Sequence, residues 1–186
     1  GSPIGIYYVD YFPRPGKSQG AWMEAFRPQS GLLNSTPVIT NVCNFTKPTG
    51  ETPALLTFDE VQTLFHEFGH ALHGLLSQCT YPSVAGTNVY RDFVELPSQI
   101  MENWAADPEV LKVYARHYKT GANIPQALID KLQKSSHFNQ GFATTEFMAA
   151  ALLDMAYHTR KTTDPIDVEK LSLIHISEPT RRRGIS

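Results

Sequence analysis

TFDEVQTLFHEFGHALHGLLS, residues 57–77, is the stretch around which the chain is organised. Leu64, Phe65, Phe68, Ala71, Leu72, Leu75 and Leu76 recur at helical spacing and form a broad apolar stripe, so one amphipathic helix is predicted. Its start is marked locally. Thr57 is placed to cap the helix, and Glu60, three residues later, completes a capping box. Leu56 and Val61 are spaced to form the accompanying hydrophobic staple. Tyr81-Pro82 stops any continuation. Gly69 in mid-helix costs about 1 kcal/mol relative to Ala. A glycine beside paired histidines suggests a close approach, by substrate or by another helix.

Within this helix His66, Glu67 and His70 spell His-Glu-x-x-His. Two histidines four apart lie one turn apart on the same face. That pairing suits one zinc ion at about 2.0–2.1 Å from each nitrogen. Glu67 follows the first histidine and can reach the open side of the metal as a general base. The motif also occurs by chance as two ordinary histidines and a solvated Glu, so a third ligand matters. His73 is one candidate, but at 1.5 Å per residue it lies roughly 10 Å along the axis from His66, more than one ion can span. Glu95 is the better candidate. It falls in a second predicted helix, DFVELPSQIMENW, residues 92–104, with Asp92 as its cap, Glu95 at the capping-box position and Pro97 tolerated in the first turn. A loop and a return helix then bring one carboxylate to the two histidines, giving His₂Glu plus water. Asp92 and Glu102 are cast as acceptors for the ring N–H groups of the zinc histidines. The plain alternative makes Asp92 and Glu95 caps and Glu102 part of a solvated face.

Outward from this core, the N-terminal side reads as β and the remainder as helical, so the fold class is mainly α with a small β hairpin or sheet. GIYYVDYF, residues 5–12, and TPVITNVCNF, residues 36–45, are rich in aromatic and β-branched residues and read as strands. Residues 22–26 form a short strand or turn. Asp10, Arg14 and Lys17 read as a charged hairpin end. The turn-rich residues 79–91 either line a substrate cleft or simply connect. Asp107-Pro108-Glu109 starts a helix running to about Tyr118. Pro125 opens another to about Lys134, and residues 138–159 form a long one. His137 and His158 are structural or exposed.

The composition, 41% apolar and 18% charged, is that of a globular chain. A net charge of −2 gives no footing for nucleic acid or an anionic membrane. No apolar run approaches the roughly 20 residues of a membrane span. Cys43 and Cys79 make no disulfide framework and are expected to be reduced. The expected compartment is cytoplasmic, with the periplasm as the alternative. From about Ser172 the pattern changes: SLIHISEPTRRRGIS resembles a translated sequencing-adapter read. Residues 1–171 are therefore expected to be one partial catalytic domain, and residues 172–186 a non-native or disordered tail.

HEFGHALHGLL followed by GTNVYRDFVELPSQIMENW resembles the thimet oligopeptidase and peptidyl-dipeptidase family of zinc peptidases. GIYYVDYFPRPGKSQGAWM and ATTEFMAAALLDMAYH are similar to that family's segments upstream and downstream of the zinc helix. The likeness covers residues 5–171 and is closest to the bacterial peptidyl-dipeptidase branch, with oligopeptidase A next. It implies a zincin-type helical core with a small sheet near one zinc ion. It also implies His66, His70 and Glu95 as ligands, Glu67 as base, short peptides as substrates and release of C-terminal dipeptides. Members are several times longer than this chain. The expectation is therefore a fragment that holds the metal half of the active site and lacks the substrate half.

Overall fold

The computed structural model describes residues 1–169 and 171. The tail set apart from Ser172 lies outside the described residues. Two compact units are present, the first spanning Gly1–Ile129 and the second starting at Asp130. The first unit carries a three-stranded sheet on the N-terminal side and then helices, as the sequence predicts.

The strands are β1 (Ile6–Asp10), β2 (Trp22–Arg27) and β3 (Val38–Val42), in the order β1-β3-β2. Residues 22–27, ambiguous in sequence, form a full strand. β2 is antiparallel to β3, while β1 is parallel to it, with Tyr7 opposite Ile39 and Asp10 opposite Val42. In β3, Ile39 and Asn41 are fully buried while Val38, Thr40 and Val42 are half-buried, the period-2 alternation of a sheet packed on one face.

Helix α1 (Phe58–Leu75) packs on that buried face. The capping box is present in both directions: the Thr57 hydroxyl accepts from Glu60 N–H, and the Glu60 carboxylate accepts from Thr57 N–H. Glu60 also accepts from Thr46 N–H at 2.7 Å, which ties the preceding loop to the helix start. A Cβ on Gly74 would lie 2.7 Å from Ile39 Cδ1, so this glycine lets the helix settle on the central strand. Tyr7 of β1 meets Phe68 of α1 edge-on at 5.8 Å, a contact worth about 0.5–1.5 kcal/mol beyond its buried area.

The charged group after β1 is more than a solvated hairpin end. Arg14 pairs with Asp10 at the surface. The Lys17 side chain, however, is only 4% exposed, and Nζ donates to the carbonyls of Asp10, Phe12 and Cys43. The ammonium thus clips the end of β1 to the residue after β3. Lys17→Met fills a similar volume but removes the ammonium donor from the Phe12 and Cys43 carbonyls, while Asp10 O keeps the Cys43 N–H. At about 1–3 kcal/mol for a buried polar group left unpaired, urea unfolding should give a stability loss of about 2 kcal/mol.

The second helix is where the structure differs most from expectation. It is two segments, α2 (Arg91–Val94) and α3 (Leu96–Ala105), meeting at Glu95. Asp92 is not the cap: Tyr90 precedes α2 and contributes no side-chain hydrogen bond. Glu95 is not the far end of a capping box but the N-cap of α3. Pro97 explains the break, because its ring and missing N–H are compatible with the first turn of a helix but not with its interior. Asp107 caps α4 (Pro108–Tyr114), accepting from Glu109 and Val110 N–H. This helix stops at Tyr114, short of the predicted Tyr118. Ala115 leaves helical geometry at ψ 77°, and residues 115–124 fold back through an Arg116–Asn123 bridge with Gly121 at φ +70°. α5 (Gln126–Ser135) and α6 (Gln140–His158) follow as predicted, and Phe142, Phe147 and Leu152 of α6 are exposed. Cys43 and Cys79 are free thiols. No described helix is long and apolar enough to cross a membrane.

Candidate metal centre

One turn of α1 separates His66 from His70, and their rings meet at 4.9 Å with planes 82° apart. Glu95, at the break between α2 and α3, faces both. Its Oε2 lies 3.2 Å from His66 Nε2 and 3.2 Å from His70 Nε2. One donor atom from each residue lies within 4.8 Å of the others. The sequence-predicted trio is therefore brought together by the crossing of α3 over α1. His73 is elsewhere: its ring meets Phe93 at 6.2 Å.

The protonation pattern determines what this cluster can hold. His66 Nδ1 is 2.6 Å from Glu102 Oε1. An ionised carboxylate only accepts, so Nδ1 carries the proton and a neutral ring keeps its Nε2 lone pair. Burial lowers the pKa of His70, partly offset by Glu95, which favours the neutral ring there as well. The Ser98 hydroxyl, against some desolvation and helped by His70 and His66, holds the Glu95 carboxyl below its usual range. On His66, a neutral Nε2 facing a carboxylate oxygen at 3.2 Å places lone pairs against one another, an arrangement that a cation relieves. Two donors about 2.0–2.1 Å from one ion at the tetrahedral angle are roughly 3.3–3.4 Å apart. The two 3.2 Å separations to Glu95 fit zinc, and nitrogen and oxygen donors suit it. With its side chain 48% exposed, Glu95 leaves the position open toward solvent.

Glu67 occupies the sheet-facing side of α1, is 5% exposed, and its Oε2 is buried without a hydrogen-bond partner. Burial pushes its pKa up, opposed by His66 and reinforced by Glu95. Nearby, burial raises Tyr7 to about 12 and Cys43 to about 11, with the Glu67 charge adding to each. The groups flanking Glu67 on the sheet side thus stay protonated at neutral pH.

A sequence model of peptidase family M3 matches residues 1–178. The chain belongs to peptidase family M3. This is a family of metallopeptidases. The M3 chain is 49% identical over 174 residues to the dipeptidyl carboxypeptidase of Escherichia coli strain K12, covering 93% of this chain and 26% of that protein. It is 51% identical over 158 residues to the dipeptidyl carboxypeptidase of Salmonella typhimurium, covering 85% and 23%. Oligopeptidase A of Escherichia coli strain K12 is 39% identical over 165 residues, covering 86% and 24%. The M3 chain spans about a quarter of the length of these curated relatives.

Of the two acidic residues cast as supports for the histidines, Glu102 lies against His66 Nδ1. Asp92 is exposed on α2. His66 Nδ1 is taken by Glu102, and the buried His70 Nδ1 has no hydrogen-bond partner. Nothing in the sequence assigns Ser98 a role. In the M3 fold Ser98 is fully buried, and its hydroxyl donates to Glu95 Oε2 at 2.8 Å. The residues after α1, expected either to line a cleft or to connect, border an apolar groove of about 550 Å³ with Leu72, His73, Leu76, Val84, Val89 and Ile100. Neither Glu67 nor any of the three donor residues lines that groove.

Proposed function

We propose that His66, His70 and Glu95 hold one zinc ion, and that Glu67 is the general base of a peptide hydrolysis that releases C-terminal dipeptides from short peptides. The observation that carries this reading is the placing of Glu95 Oε2 3.2 Å from both imidazole Nε2 atoms. When bound, zinc supplies Lewis acidity toward the scissile carbonyl and makes water acidic enough to attack near neutral pH. Glu67 takes the proton of that water as its oxygen attacks the carbonyl carbon. When the C–N bond breaks, Glu67 hands the proton to the departing amine. A carboxylate raised by burial is better matched to this alternating role than an ordinary one. Glu102 fixes the His66 ring by accepting from Nδ1–H, which directs the Nε2 lone pair toward Glu95.

Dipeptide release rests on the relatives named dipeptidyl carboxypeptidase, which share about half of the aligned residues with this chain. Internal cleavage is the competing mode, supported by the similarity to oligopeptidase A. Peptides with a free and an amidated C-terminus separate the two. A dipeptide-releasing enzyme recognises the terminal carboxylate and loses the amidated substrate, whereas an endopeptidase cleaves both. Because the chain spans about a quarter of its relatives, hydrolysis is best assayed in a polypeptide of the relatives' length that carries this segment. Metal binding is tested on the 186 residues directly. A chain that binds zinc without turnover is the reading favoured by the open, half-exposed Glu95. Measured turnover in the longer polypeptide, but not in the shorter chain, would assign the missing activity to residues beyond this segment.

The support role of Glu102 has its own test. Glu102→Ala should weaken zinc binding about 10–100-fold, the usual cost of losing a group that orients a ligand. Competition with a chromogenic chelator reads this directly. Unchanged affinity would remove Glu102 from the site.

A further inference from the structure

Gly69 lies between the two histidines in sequence and is buried. A Cβ at this position would lie 2.6 Å from Pro97 O, 2.6 Å from Ser98 Cα and 3.0 Å from Pro97 C. All three are backbone atoms of the first turn of α3, so no side-chain rotation relieves the clash. Restoring an ordinary separation of about 3.5 Å requires the start of α3 to retreat by roughly 1 Å. Glu95 is the N-cap of that turn, two residues before Pro97, and would move with it. Ser98, at the same contact, is fully buried, and its hydroxyl donates to Glu95 Oε2, the same oxygen that faces both imidazoles.

We propose that the Gly69–Ser98 contact is a spacer that positions the third ligand: the missing side chain at 69 sets how closely α3 approaches α1, and the Ser98 hydroxyl sets where the Glu95 oxygen points. Both are positioning residues that act through Glu95, and the inference rests on the zinc site proposed above. It gives the glycine a specific function. Gly74 settles α1 onto Ile39 of the sheet. Gly69, five residues earlier and roughly 140° around the helix, settles α3 onto α1 at the level of the ligands. A methyl group at 69 would therefore be felt at the metal before it is felt in the sheet.

A double-mutant cycle on the 186-residue chain tests this, with zinc affinity read by chelator competition and folding checked by circular dichroism and thermal unfolding without metal. Gly69→Ala and Ser98→Ala are each expected to weaken zinc binding about 10–100-fold, as loss of ligand support does. In a Glu95→Ala background neither should weaken it further, because the ligand they position is gone. A general packing role predicts the opposite: lower thermal stability in both backgrounds, with a zinc effect that is absent or adds fully to that of Glu95→Ala. That outcome overturns the spacer and leaves the zinc site standing. If Gly69→Ala does not fold, Ser98→Ala, which removes one oxygen and adds no volume, decides through the same cycle. If the unsubstituted chain binds no zinc through His66 and His70, the site itself fails and the spacer falls with it.

Discussion

Replacing Glu67 with glutamine is expected to leave zinc binding unchanged within a factor of about three and to lower peptide hydrolysis about 10²–10⁴-fold, the range set by a positioned general base. Glutamine keeps the size and one oxygen of the carboxyl group but cannot take a proton from water at neutral pH. The neighbourhood favours a clean result. Glu67 is buried, its Oε2 has no hydrogen-bond partner, and it is not among the clustered donor atoms. Neutralising it therefore breaks no hydrogen bond at that oxygen and removes a charge that burial already disfavours. The metal-free variant should be at least as stable as the parent. A quenched-fluorescence peptide assay in a polypeptide of the relatives' length reads the rate, and chelator competition reads the metal. Retained turnover with bound zinc would transfer the base to another group.

The second large effect is at a ligand. His70→Ala should lower zinc affinity by at least about 1,000-fold, well beyond the about 10–100-fold of a supporting residue. It removes one of the three converging donors. The remaining pair, His66 and Glu95, would then face one another at 3.2 Å with no third donor to close the site. His70 is buried and its Nδ1 has no hydrogen-bond partner, so without metal the variant gives up the Nε2 contact with Glu95 and packing against its neighbours. Circular dichroism without metal should overlay that of the parent. Equal loss of helix and of zinc would mean that the substitution acts through folding.

The parts of this site that were legible in sequence are those written in local chemistry. The capping box of Thr57 and Glu60, the helical stripe and the His66–His70 spacing all lie within one helix, so their geometry follows from 3.6 residues per turn. Glu95 was legible for a different reason: His73 is out of reach along a straight helix, and a returning helix is the simple way to supply a carboxylate. What could not be read depends on packing between segments. The break at Glu95 arises because Pro97 tolerates only the first turn of a helix, and it leaves Asp92 inside a separate short helix rather than at a cap. Gly69 announced a close approach, but only the fold shows that the neighbour is the backbone of α3. Lys17 read as a surface charge because one of its carbonyl partners, Cys43, is 26 residues away in sequence. The parallel pairing of β1 with β3 likewise leaves no mark in the alternation of either strand.

The central claim is that zinc binds at the crossing of α1 and α3 through two imidazoles and one carboxylate. X-ray absorption at the zinc edge, on the chain loaded with one equivalent of zinc, tests it most directly. The expected first shell contains only nitrogen and oxygen at about 2.0–2.2 Å, with the multiple-scattering signature of two imidazoles, and the signature of one imidazole is lost in His70→Ala. A sulfur shell at about 2.3 Å, which Cys43 or Cys79 would provide, or a spectrum unchanged in His70→Ala, would contradict it.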